Sequence, residues 1–136
     1  MLGLLKRGSL FIICSVAIIG LNSCNIFGAK KKKDLTLKDI IPGNTWYHIA
    51  PGDDSVYIKN TFSTTTAIKT AHYFPCDSES FEGPETYTFD IKNDEQISVG
   101  GETYKVLSFS EDKWTIRYPV GENTYTIVFR KGCEDL

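Results

Sequence analysis

Residues 87–130 read YTFDIKNDEQISVGGETYKVLSFSEDKWTIRYPVGENTYTIVFR, and this stretch decides the fold. Tyr87, Phe89 and Ile91 alternate with Thr88 and Asp90, and residues 92–95 then reverse the chain. Residues 96–99 run into Gly100-Gly101, and residues 102–109 return. Residues 110–112 turn into the run 113–120, and Gly121-Glu122-Asn123 leads into residues 124–130. Alternation of period two buries one face of a strand and wets the other, and short polar or glycine turns join antiparallel neighbours. The pattern is a β-meander.

Working upstream, Thr36-Leu37-Lys38-Asp39 has the form of a capping box with Asp at its last place. Pro42-Gly43 halts the short helical turn it starts. Residues 43–49 form a first strand carrying Trp46, and Pro51-Gly52-Asp53-Asp54 turns the chain into a second at 55–62. A threonine-rich third strand covers 66–74, and 75–84 reads as a polar, acidic loop holding Cys76. The total is about eight antiparallel strands. An up-and-down barrel and a two-sheet β-sandwich both accommodate that number. Consecutive hairpins without a long crossover favour the barrel, because closure removes edge strands. Near Val106-Leu107 the alternation slips: Tyr104 and Val106 share one face, Leu107 and Phe109 the other. A β-bulge is expected there.

The chain has 136 residues, 41% of them hydrophobic and 12% aromatic, enough for one small core at 35–136 and not for two domains. Charge is unevenly placed. Lys6, Arg7 and the four lysines at 30–33 hold six of the 15 basic residues, which leaves residues 35–136 with a balance of about −7. An acidic domain repels phosphate backbones, so nucleic acid is not an expected partner.

Residues 1–23 are laid out as a secretory signal, with Lys6 and Arg7 before an apolar run at 10–21 that is too short to span a bilayer. The run ends Leu21-Asn22-Ser23-Cys24, which resembles the lipobox of bacterial lipoproteins. The resemblance implies cleavage before Cys24 and acylation of that cysteine, with several acyl chains making a stable anchor. Residues 24–34 then form a flexible basic tether, whose lysines add affinity for anionic headgroups. Position 25 is Asn rather than the Asp of the enterobacterial inner-membrane rule, and the tether lacks the acidic surface-export signal of some Bacteroidetes lipoproteins. The expected location is the bacterial envelope, lipid-anchored and facing the periplasm. In an exported chain Cys76 and Cys133 read as a disulfide, the alternative being two buried thiols.

With Trp46 on the first strand and Arg130 ending the last, the domain resembles a small lipocalin, most closely the short lipocalin-like lipoproteins of Bacteroidetes. Lipocalins open on a short 3₁₀ helix and a Gly-x-Trp, and the Arg packs over that Trp. Here Gly43-Asn44-Thr45-Trp46 is one residue wider. The resemblance implies a Trp46–Arg130 cation–π stack closing the barrel, against plain core burial of Trp46 beside a solvated Arg130.

No nucleophile elbow, phosphate loop or metal-ligand spacing is present, so the chain reads as non-enzymatic, without a metal or cofactor. His48 and His72 fall in different strands and read as surface or satisfied core histidines. Asp77, Glu79, Glu82 and Glu85 make a solvated acidic loop. The candidate ligand-lining residues are the apolar faces of three strands: Tyr87, Phe89 and Ile91; Trp114, Ile116 and Tyr118; Tyr125, Ile127 and Phe129. Such a face suits a small hydrophobic ligand in a barrel mouth, or it fills the barrel completely. Two functions follow. One is a lipid-anchored carrier of that ligand. The other is a filled barrel that binds a periplasmic protein, as the small lysozyme-inhibitor lipoproteins do.

Overall fold

The structure is a computed structural model that describes residues 33–136. The signal segment, Cys24 and all but the end of the tether lie outside the described residues.

Eight strands follow in order: β1 Thr45–Ala50, β2 Asp53–Phe62, β3 Thr66–Tyr73, β4 Ser80–Asn93, β5 Gln96–Val99, β6 Glu102–Phe109, β7 Lys113–Val120 and β8 Asn123–Arg130. Each pairs antiparallel with the next, and β8 returns to β1, so the sheet is one closed barrel. A single closed sheet excludes the two-sheet sandwich. The seam between β1 and β8 is short, registered through Tyr47 and Arg130.

The bulge falls where the alternation slips. Val106 pairs with Ile116 and Ser108 with Thr115, which leaves Leu107 as the extra residue, turned out and exposed. The expected loop at 75–84 is shorter than the sequence suggests. β4 begins at Ser80 and pairs with β3 through His72–Ser80 and Ala71–Glu82. Residues 80–86 are exposed, so their polarity marks a solvated strand rather than a loop, because ladder hydrogen bonds need no apolar face.

One end of the barrel is closed by the helix α1, Leu37–Ile40. The Asp39 carboxylate accepts from the Thr36 N–H at 3.1 Å and from its hydroxyl at 2.7 Å. The Leu37 N–H, an orphan donor at the first turn, donates to Asp94 in the β4–β5 turn at 2.9 Å. Gly43 takes the left-handed φ of +77° that ends the segment, and its N–H donates to the Phe62 carbonyl. Leu37, Ile40 and Ile41 are buried against the barrel, each stabilising by about 1.5–3 kcal/mol on area grounds.

Above this plug lies an aromatic floor. Trp114 stacks on Phe129 with centroids 3.8 Å apart, Phe62 packs against Phe89 at 4.8 Å, and Trp46 meets Trp114 edge-on at 6.1 Å. The cation over the Trp46 indole is Lys131, with Nζ 5.6 Å from the ring centroid, in place of the expected Arg130. Strand parity explains the correction. Ile127 and Phe129 face inward on β8, so Arg130 faces out beside Tyr47 and Lys113, and Lys131 is the next residue with inward parity.

Outside the barrel, Tyr57 is buried although its neighbours Val56 and Ile58 take the inward face. The His72 ring stacks on it at 4.9 Å and Phe74 packs at 5.1 Å. A disulfide joins Cys76, just past β3, to Cys133 in the C-terminal 3₁₀ turn Cys133–Asp135.

Candidate functional site

Four turns, at 51–52, 74–79, 100–101 and 121–122, ring the end opposite α1. Inside this end is a cavity of about 460 Å³, within the range of small-molecule sites. Its floor is Phe62, Ala67, Ile97, Trp114 and Phe129. Ile58, Ile116 and Ile127 line its middle, and its rim carries Lys69, Tyr87, Glu102, Tyr104 and Tyr118.

Six of the nine expected lining residues meet at this cavity: Tyr87, Trp114, Ile116, Tyr118, Ile127 and Phe129. Phe89 and Ile91 face inward but lie in the packed core at the closed end, below the open space. Tyr125 does not line the cavity. It sits at the start of β8, partly exposed, and borders an outer recess of about 380 Å³ with Ile49, Val128 and Leu136 beside the short β1–β8 seam.

The rim is polar and mostly self-satisfied. The Tyr104 hydroxyl donates to Glu102 at 2.6 Å, and its ring stacks on Tyr118 at 5.4 Å. Burial, reinforced by that bond to a carboxylate, raises the Tyr104 pKa. On the other side, Lys69 pairs with Glu85 at 3.5 Å and lies 5.5 Å from the Tyr87 ring centre. The Tyr87 hydroxyl donates to Glu85, which lowers the Glu85 pKa and raises that of Tyr87.

His48 was not among the expected lining residues, and it lines the cavity. Trp46 and His48 share one parity on β1, so the inward position of Trp46 was the available signal. Nδ1 lies 2.9 Å from the Ile49 carbonyl oxygen, which only accepts, so Nδ1 carries the hydrogen. The ring packs edge-on to Phe129 at 4.8 Å. Burial, joined by the charge of Lys69 and partly offset by the Ile49 bond, lowers its pKa from 6.5 to about 4. The imidazole is therefore neutral at physiological pH, with its lone pair on Nε2. Asn60, also buried, lines the cavity next to it.

His72 differs. Its nitrogens contact the Ser78 carbonyl and the Thr70 hydroxyl, each at 2.8 Å, on the outer face. Among the described residues no three His, Cys, Asp or Glu side chains gather as a metal site. The lumen offers an apolar floor, two neutral polar side chains at His48 and Asn60, and a tyrosine-rich rim. No family model, curated protein or solved structure matches this chain.

Proposed function

We propose that this protein is a lipid-anchored, non-enzymatic binding protein of the bacterial envelope, lipocalin-like in design, which holds a small hydrophobic ligand in its barrel. The observation that carries the reading is the cavity of about 460 Å³ with an aromatic and isoleucine lining. A concave mouth of that size, with an apolar floor and polar groups gathered at its rim, has the form of a small-ligand site. The lipobox at 21–24 and the basic residues at 30–33 support anchoring through Cys24 on the periplasmic side of a membrane. Titration with the neutral fluorophore N-phenyl-1-naphthylamine tests the carrier reading. One saturable site is expected in the wild type and its loss in Ala67→Leu, which fills the floor. Binding that survives Ala67→Leu places the probe elsewhere and refutes a lumen site.

A second reading, a protein-interaction or inhibitor module, has one observation in its favour. Tyr73 and Phe81 stack at 4.2 Å while both remain about half exposed, and exposed Phe74 lies beside them. Exposed aromatic groups of this kind serve protein contacts. Loss of envelope-protein binding in the Tyr73→Ser, Phe81→Ser pair, with lumen binding retained, would support it.

A further inference from the structure

The wall made by β1 and β2 presents two buried polar side chains to the cavity. His48 stands opposite Ile58 and Trp46 opposite Asn60, so His48 and Asn60 are diagonal neighbours on the inward face. Each is only 7% exposed. His48 donates through Nδ1 to the Ile49 carbonyl, so its lumenal nitrogen Nε2 is an acceptor, and no hydrogen bond to a described residue engages it. The Asn60 amide makes one long contact, 3.5 Å to the Ile58 carbonyl, which leaves hydrogen-bonding capacity beside His48. Buried polar groups are ordinarily satisfied, so an acceptor open to the cavity is filled by water or by a donor that a guest carries.

The charges around the cavity restrict that guest. Lys69 is the lining cation, and it is engaged by Glu85 and the Tyr87 ring. Glu102 faces the same space. A carboxylate or phosphate would meet Glu102 without a free cation to neutralise it. A protonated amine held at Nε2 would be buried against a neutral acceptor, with Glu102 at the rim already accepting from the Tyr104 hydroxyl. Neither ionic class fits, and an uncharged donor does.

We propose that the lumen selects an uncharged hydrophobic molecule whose polar end is a hydrogen-bond donor (a phenol, an alcohol or an amide), and that His48 Nε2 accepts that hydrogen bond. The inference rests on the carrier reading and deepens it by naming the head group. The hydrophobic body lies against Ile116, Ile127 and Phe129, and Asn60 completes the polar contact.

The test is calorimetric titration of the full-length protein with naphthalene, 2-naphthol and 2-naphthoate, which share one body and differ in the head group. The expected order is 2-naphthol first, about three- to tenfold tighter than naphthalene for one neutral hydrogen bond, with 2-naphthoate weakest. In His48→Phe, which lacks the acceptor, naphthalene and 2-naphthol are expected to bind alike, whereas His48→Gln, with a side-chain carbonyl, keeps part of the preference. The imidazole ¹⁵N spectrum should show the Nε2 resonance move upfield with 2-naphthol and stay in place with naphthalene. Binding of naphthalene without preference for 2-naphthol, or of 2-naphthoate as tightly, overturns the head-group assignment and leaves the carrier standing. Binding of none of the three overturns both.

Discussion

Burying a histidine in a largely apolar lumen makes the barrel sensitive to acid, and the size of the effect follows from the structure. In the unfolded chain His48 titrates near 6.5, and in the barrel near 4, because burial opposes its charged form. The unfolded state therefore binds more protons between these values, and stability falls as pH drops through that window. The full difference is about 3 kcal/mol at 1.36 kcal/mol per unit, and about 2 kcal/mol of it is lost between pH 7 and pH 5. That interval is well chosen. Asp53, Glu85, Asp90 and Asp112 have lowered pKa values, so their contributions are lost only below their ordinary values of 3.8 and 4.5. Urea unfolding followed by the fluorescence of Trp46 and Trp114 at pH 7, 6 and 5 gives the slope. His48→Phe keeps an aromatic ring against Phe129 and removes the titration, so its stability should vary by less than about 0.5 kcal/mol over the interval. Equal acid sensitivity in wild type and His48→Phe would mean that His48 is not the group that titrates.

The Cys76–Cys133 bond spans 57 residues of sequence, and the chain-entropy model gives it roughly 4 kcal/mol. The Cys76→Ala, Cys133→Ala pair should lose about 2–4 kcal/mol in the same urea assay, and an unchanged midpoint would mean that the unfolded chain is not being constrained. Gly83 has a φ of +93°, and a Cβ there would lie 2.6 Å from the Lys69 carbonyl oxygen. Gly83→Ala should therefore cost about 1–3 kcal/mol, read as a lower thermal midpoint, while Gly52→Ala, with open space around it, should cost less. Trp114 is fully buried on Phe129, and Trp114→Ala should cost about 3–5 kcal/mol. Cys24→Ala should move the protein from the membrane fraction to the soluble fraction of lysed cells, since the proposed anchor is attached there.

How much of this could be seen in the sequence depends on which physical signal each feature leaves. Period-two alternation marks any strand with one wet and one dry face, so the meander at 87–130 and even the bulge at Leu107 were legible. The first half of β4 was not, because residues 80–86 are exposed and show no alternation to read. Parity identifies which residues face in but says nothing of depth along the barrel. Phe89 and Ile91 share the parity of Tyr87 yet lie in the closed-end core, while Tyr87 reaches the cavity. Residue type alone leaves His48 unplaced, but it stands two residues after Trp46. Parity alone would have put it inside. The exchange of Arg130 for Lys131 over Trp46 follows the same rule, since alternation along the last strand turns Arg130 outward.

Whether the barrel holds a small hydrophobic molecule is read by native mass spectrometry of the full-length protein taken gently from cell envelopes. A small neutral mass bound one to one, lost on denaturation and absent from Ala67→Leu, is expected. A bare protein mass that gains no adduct with naphthalene or 2-naphthol would contradict it, and would turn attention to the exposed aromatic pair Tyr73 and Phe81 as the working surface.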